Sequence, residues 1–244
     1  MKDFTTSRQD GFGAQLNAML VGFLVARQYG CEYFYTPMAC LKLLKVGYQN
    51  KQLDRVNNVL AHTMRNLGVK HATGGTYILP RPENLYPHCN EETFRGSSVM
   101  DLKYAWPLSS PHGRKTVVIH VRRGGDIDPS HEHRWQSRKF VNDIVRRCTD
   151  RYPFHKIKVL CWGDPEIDRN LRCTVDISND GGDILDHFNQ MVHANVLVVA
   201  HSSFSLSAGL LNKNTVICPP SILRTKSAHH PKVWDDNWNL LCDQ

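Results

Sequence analysis

The sequence predicts an α/β protein whose C-terminal half is a doubly wound parallel sheet. Two observations carry that prediction: apolar runs of strand length recur from residue 116 onward, and helical stretches fall between them. The runs are TVVIHV (116–121), KIKVLCW (156–162), CTVDI (173–177), NVLVVA (195–200) and TVICP (215–219). Helices are expected near 135–152, 165–171, 183–193 and 204–212. Five strands with four intervening helices make a parallel sheet with right-handed connections. Such sheets bind ligands in the crevice beyond the carboxyl ends of the strands.

The N-terminal half is less regular. SRQDGFGAQLNAML turns from a glycine-containing loop into a helix, with Leu16, Met19, Leu20, Phe23 and Leu24 at the spacing of one amphipathic face. CEYFYTP (31–37) reads as an aromatic strand stopped before Pro37. A helix over 50–66 and a short strand at Tyr77–Leu79 follow, and Pro80, Pro82, Pro87, Pro107 and Pro111 punctuate the rest. The expected organisation is an N-terminal α/β lobe over 1–112, a Rossmann-like C-terminal lobe over 113–225, and a tail over 226–244. In that tail Trp234 and Trp238 at i, i+4, with Leu241 one turn on, predict a last helix packing back across the lobes.

At 244 residues, with 41% hydrophobic and 22% charged, the chain buries a good core and disorder is excluded for most of it. Thirty Lys and Arg against 23 Asp and Glu give +7, and 13 histidines add charge below neutrality, so an anionic ligand or surface is favoured. The eight cysteines are scattered without metal-ligand spacing and read as reduced core thiols. No apolar run reaches membrane-spanning length and no Asn-x-Ser/Thr sequon occurs. A soluble, cytoplasmic-type chain is expected, the alternative being an excised lumenal catalytic domain.

The strand ends collect a coherent polar set. The first run delivers His120, Arg122, Arg123 and Asp126, the second Asp164, and the fourth Ser202 and Ser203 after His201. An arginine presents a planar fork to phosphate oxygens, which lysine does not copy. SSFS (202–205) opens a helix whose first amides favour an anion. Two such elements on one sheet suggest a diphosphate, with Asp186 placed to accept from a base or ribose and Phe204 to stack on a ring. Taken singly, each has a bland alternative: a solvated Arg pair, an ordinary N-cap with a core Phe, a helix-initiating Asp164, a core histidine.

HVRRGGD (120–126) resembles the His-x-Arg-Arg-Gly-Asp motif of the α1,2-, α1,6- and protein O-fucosyltransferase superfamily. ILDHFNQMVHANVLVVAHSSFSLSAGLL (184–211) is similar to the later motif of that group, and DGFGAQLNAMLVGFLVARQYG (10–30) to its N-terminal loop and helix. The resemblance implies a GT-B fold, two Rossmann-like lobes with the nucleotide-sugar site in the cleft. It also implies metal-independent, inverting transfer of L-fucose from GDP-fucose to a glycan hydroxyl, with no cofactor beyond the donor. Arg122 would hold the β-phosphate, His120 and Asp186 the guanosine, and Ser202 or Ser203 a phosphate, while Gly11, Gly13 and Gln15 would close over the donor. This chain departs from the pattern in an extra glycine between Arg123 and Asp126, in Ala14 where many relatives have Asn, and in its length, so the acceptor lobe is expected to be reduced.

Asp10, beside the N-terminal glycine loop, and Asp126 are the two candidates for a general base. Asp126-Ile-Asp128 also opens a metal-dependent alternative with another nucleotide sugar. Two further alternatives stand: a non-catalytic nucleotide- or glycan-binding module on the same fold, and, ranked last because no recognisable motif accompanies the charge, a nucleic-acid binder. His229, His230, Trp234, Arg134 and Trp135 are candidates for lining the acceptor pocket.

Overall fold

The computed structural model describes residues 3–6, 11–39, 49–74, 76–79, 85, 89, 92–94, 97–107, 115–122, 136–161, 166–177, 183–218 and 238–240. The chain divides into two compact units at residues 108 and 109.

In the first unit, α1 (Phe12–Gln28) joins β1 (Phe4–Thr6) to β2 (Phe34–Tyr35), and α2 (Gln49–Asn66) leads to β3 (Lys70–His71). Next come β4 (Tyr77–Leu79), a 3-10 turn at Glu92–Phe94 and α3 (Ser97–Ala105). β1 pairs in parallel with β4 and β2 with β3, and a bridge from Phe4 to Tyr33 links the two pairs. Strands of two or three residues explain why this half of the sequence carries a weak signal, and α3 is not foreseen by it. The expected amphipathic face of α1 is buried, but so are Phe12, Asn17, Ala18, Val21 and Val25. A helix interrupted from Leu16 to Ala26 only by Asn17 and Gly22 has no polar face to show, so it becomes the core of the unit. α2 keeps its stripe, with Val56, Leu60 and Met64 fully buried. Asn57 on α2 accepts the Met38 amide at 2.8 Å and donates to the Met38 carbonyl at 3.0 Å, which satisfies the backbone just beyond β2.

Gly22 lets the backbone of α1 rest directly on the sheet. A Cβ there would lie 2.7 Å from Tyr33 Cε2 and 2.9 Å from Thr6 Cγ2. Those two side chains are themselves tied by a 2.7 Å hydrogen bond between Thr6 Oγ1 and the Tyr33 hydroxyl. Alanine improves helix propensity by roughly 1 kcal/mol, whereas overpacking costs about 1–3 kcal/mol. Gly22→Ala is therefore expected to lower the thermal unfolding midpoint; an unchanged or higher midpoint would show that the Tyr33 ring yields without cost.

The second unit is one six-stranded parallel sheet in the order β10–β9–β8–β5–β6–β7. Its strands are β5 (Thr116–Val121), β6 (Lys156–Cys161), β7 (Thr174–Ile177), β8 (Val196–Val198), β9 (Thr215–Cys218) and β10 (Trp238–Leu240), with helices α4 (Arg138–Arg151), α5 (Ile184–Val192) and α6 (Ser203–Leu211). The helix expected over the C-terminal tail is, at Trp238–Leu240, a strand paired in parallel with β9, so the sheet gains a sixth member. Pairing on the open edge of β9 outweighs the i, i+4 tryptophan spacing. The helix expected at 165–171 is also absent from the described residues 166–171. There Asp168 is drawn onto α4 by Arg138 and Arg146 and its amide donates to Asn142, so the segment lies as a strap with Ile167 and Leu171 against the core.

Val117, Ile119 and Val121 of β5 pack with Val141, Ile144, Val145 and Cys148 of α4. The alternate positions of β5 face the other way, where His120 meets Phe204 of α6 and Phe204 meets Phe188 of α5. None of the described cysteines forms a disulfide, and burial pushes the Cys148 and Cys218 thiols up to about 12.

Candidate functional site

Strand order alone creates a crevice. From β5 the chain builds outward through β6 to β7, then returns to lay β8 on the opposite flank of β5 and continues to β9 and β10. The connections leaving the carboxyl ends of β5 and β8 therefore part in opposite directions, which is where open parallel sheets hold ligands.

β5 brings His120 and Arg122 to that point. The Arg122 amide donates to Gln136 Oε1 at 2.9 Å and its carbonyl accepts the Gln136 amide at 3.1 Å, so one glutamine clamps the backbone beneath the guanidinium. Across the crevice, Arg122 Nη1 reaches the His201 carbonyl at 3.5 Å. His120 retains some surface, but its Nδ1 is buried with no hydrogen-bond partner among the described residues. Burial first, then the Arg122 charge and then His187, bring its pKa down to about 3. The imidazole is thus neutral at physiological pH.

β8 leads into α6, whose start is built by two serines. Ser202 is the N-cap, 8% exposed, and its Oγ accepts the Phe204 amide at 3.4 Å. Ser205 Oγ accepts the Ala200 amide at 3.0 Å and sits within reach of the Ala200 and Ser202 carbonyls. Ser202 and Ser205 thus hold the turn, and Ser203 is half-exposed in the first turn of α6. Asp186 lies exposed in the first turn of α5, its amide donating to the Asp183 N-cap at 3.2 Å.

Behind this wall runs a polar chain that sequence reasoning missed. Lys158 Nζ lies 2.8 Å from Asp176 Oδ2, and His187 Nε2 lies 3.4 Å from Asp176 Oδ1. Burial raises the Asp176 carboxyl, but Lys158 and His187 outweigh it and hold the carboxyl below its usual range. Period-two alternation places Lys158 level with Val118 and Thr174 across neighbouring strands, yet only the sheet order shows that its partner comes from β7. Gln136 carries no sequence signal at all.

His120, Arg122, Ser202, Ser203 and Phe204 are brought together in the second unit, with Asp186 on the same edge of the sheet. Gly11, Gly13 and Gln15 stand in the first unit: Gly11 caps α1 with nothing within 4 Å of where a Cβ would project, while Gly13 and Gln15 are buried in the helix. Asp10, Arg123, Asp126, Asp128 and Asp164 lie outside the described residues. Among the described residues no three His, Cys, Asp or Glu side chains are grouped to hold a metal, and no helix is long and apolar enough to cross a membrane.

This is the α/β fold of GT-B glycosyltransferases. The chain is similar to the bacterial iron-containing dodecameric glycosyltransferase TibC from enterotoxigenic E. coli, with a TM-score of 0.50 and 10% identity over 89% of this chain and 57% of that one. It is also similar to E. coli ADP-heptose lipopolysaccharide heptosyltransferase II (TM-score 0.48, 8% identity, 99% and 90% covered). A third similar structure is POFUT1 in complex with GDP-fucose (TM-score 0.49, 9% identity, 87% and 95% covered). At 10% identity the likeness to TibC is one of fold, and this chain spans 57% of the TibC chain. No protein-family model and no curated protein matches the sequence.

The neutral His120 has a consequence for acid stability. The unfolded chain takes a proton on it near the ordinary 6.5, whereas the folded chain does so only near 3. The contribution is therefore fully present above the unfolded pKa and lost as pH falls through that window. Relative to His120→Gln, the native chain should lose up to about 1.4 kcal/mol per pH unit below that point. Parallel pH profiles in denaturant titrations would mean that His120 protonates freely in the fold.

Proposed function

We propose that the chain is a glycosyltransferase that takes a sugar from a nucleoside-diphosphate sugar held at the carboxyl ends of β5 and β8. The sugar we propose is L-fucose, carried by GDP-fucose and delivered with inversion to a glycan hydroxyl. One observation carries the class: the topological switch between β5 and β8 sets an arginine with a clamped backbone opposite a helix N-terminus, two elements suited to phosphate oxygens. The fold shared with TibC, named as a glycosyltransferase, supports it. The choice of GDP-fucose rests on HVRRGGD and on the ILDHF to SSFS run in the order found in the fucosyltransferase superfamily.

In the reaction the acceptor oxygen bonds to the anomeric carbon as the bond from that carbon to the diphosphate oxygen breaks. The sugar passes through an oxocarbenium-like state, the hydroxyl proton leaves to a base for which Asp10 and Asp126 are the candidates, and GDP departs. Negative charge grows on the leaving diphosphate, where Arg122 and the first amides of α6 receive it. A neutral His120 suits the guanosine contact that the resemblance implies, since a neutral imidazole offers one donor and one acceptor nitrogen to a base. The countercharge comes from the protein, so the proposed reaction needs no metal or other cofactor, and chelation by EDTA should leave turnover intact.

In a thermal-shift panel of GDP-fucose, GDP-mannose, UDP-sugars and dTDP-sugars, GDP-fucose should stabilise the chain most. A larger shift from a UDP- or dTDP-sugar reassigns the donor, and GDP binding without turnover makes the chain a binding module. Arg122→Lys should lower kcat by roughly 10²–10³-fold, the usual cost of one oxyanion-type contact, with circular dichroism unchanged. Near-native turnover in that folded variant would remove Arg122 from the mechanism.

A further inference from the structure

The edge of the large sheet opposite the candidate donor site has its own composition. Register puts Thr116 beside Lys156, Lys158 beside Thr174 and Val196 beside Thr215, so the residues just before each strand lie along one rim. Basic residues stand at or within two positions of four of these strand starts: Lys115 just before β5, Lys156 opening β6, Arg172 two residues before β7 and Lys213 two residues before β9. Arg151, the last residue of α4, completes the row, and all five are exposed. The described carboxylate nearest them in the chain is Asp150, on the last turn of α4.

The turn from α4 to β6 lies on this rim, between the starts of β5 and β7, and carries Phe154, 93% exposed. It is a rigid turn. The Tyr152 amide donates to the Cys148 carbonyl and the His155 amide to the Tyr152 carbonyl, at 2.9 and 3.0 Å. The rings of Tyr152 and His155 meet edge to face at 5.4 Å, and the Arg151 guanidinium covers the Tyr152 ring. The Lys156 amide donates to the Lys115 carbonyl at 3.0 Å, which fixes two of the cations beside the turn. Burial and then the Lys115 charge hold the His155 pKa below the ordinary value, so the row is carried by lysines and arginines.

A lone exposed phenylalanine is ordinary; one set among five exposed cations is a combined apolar and basic surface. It matches what an anionic bilayer surface requires: an aromatic ring to enter the interface and several Lys or Arg at the headgroup level. We propose that this rim, with Phe154 on it and Lys115, Arg151, Lys156, Arg172 and Lys213 along it, docks the protein on an anionic lipid surface. A nucleic acid fits less well, since one ring on a convex turn offers no groove for a strand and no stacking series. Docking this way leaves the carboxyl edge of the sheet, with His120, Arg122 and Ser203, facing away from the bilayer by about the length of a six-residue strand, roughly 20 Å. The inference rests on the rim alone and stands whether or not the chain transfers a sugar.

Flotation of the full chain with phosphatidylcholine vesicles, and with phosphatidylcholine vesicles containing phosphatidylserine, tests it. Binding is expected only to the second, and it should weaken as salt is raised. Phe154→Ser should weaken it about tenfold or more, as expected for withholding one buried aromatic side chain. Lys115→Glu with Lys156→Glu should abolish it, while circular dichroism and thermal midpoint stay native because every changed side chain is exposed. In Phe154→Trp, the indole emission should shift to the blue on phosphatidylserine vesicles. No binding to these vesicles, binding unchanged by the variants, or an unshifted Phe154→Trp emission on bound vesicles would each overturn the proposal. Salt-sensitive binding of single-stranded RNA by a chain that ignores the vesicles would overturn it in favour of a nucleic-acid surface.

Discussion

The side-by-side, parallel placement of β5 and β8 is the constraint on which the site depends. It is fixed at the amino edge of the sheet. The side-chain oxygen of Asn195 accepts the Thr116 amide at 2.9 Å, and its carbonyl accepts the Thr215 amide at 3.3 Å, so one residue before β8 sets the level of both neighbours. Asn212, wholly buried, donates to the Met191 and Ala194 carbonyls and accepts the Asn214 amide, which seats the end of α6 on the end of α5. A slip of one residue in β5 would turn His120 onto the α4 face and lose its ring contact with Phe204. Half-buried Asn195 and buried Asn212, at one end of the strands, thus determine which side chains meet at the other.

Electrostatics at the carboxyl edge follows from that placement. Burial alone makes a charged imidazole at position 120 unfavourable, and the adjacent arginine makes it more so. The positive charge of the crevice is therefore concentrated on one guanidinium whose backbone is pinned by Gln136, aided by the amides of α6. On the far side of His187, Lys158 and Asp176 neutralise each other, so the polar chain behind the wall adds orientation rather than net charge. A crevice arranged this way has directed donors in fixed positions, which is the arrangement that stabilises charge appearing during a reaction with little reorganisation.

The large sheet was legible in the sequence because its strands are covered on both faces. Runs such as VVIHV and VLVVA have few alternative uses, and residues at their carboxyl ends share an edge once the strands are parallel. His120, Arg122, Ser202, Ser203 and Phe204 could be gathered by that argument. What lay beyond it were interactions decided by strand order and by loops. The Asp176–His187 contact needs β7 and α5 in their places, Gln136 acts through its backbone partner, and Asp168 spends its side chain on α4 instead of starting a helix. The tail shows the same limit: Trp238 has helical spacing with Trp234, but an unpaired strand edge at β9 offers backbone hydrogen bonds that spacing cannot anticipate. In the first unit, strands of two or three residues leave too few positions for any period to emerge.

The two edges of this sheet handle negative charge by different physics, and that difference argues for separate roles. In the proposed role, an arginine with a clamped backbone and a helix terminus at the carboxyl edge would act over hydrogen-bond distances, where salt screens little and geometry selects the ligand. At the amino edge the cations are exposed, spread along a rim and attached by long flexible stems, so each contributes little alone and the sum is screened by salt. Such a row suits an extended surface rather than a small anion, because only a surface engages all of its members at once. Phe154, exposed on the turn from α4 to β6, supplies the element that the row lacks, an apolar contact that salt does not screen. A parallel sheet favours this division: all strand ends of one kind lie on each edge, so a directed site and an electrostatic surface can be kept a full strand length apart on one rigid element.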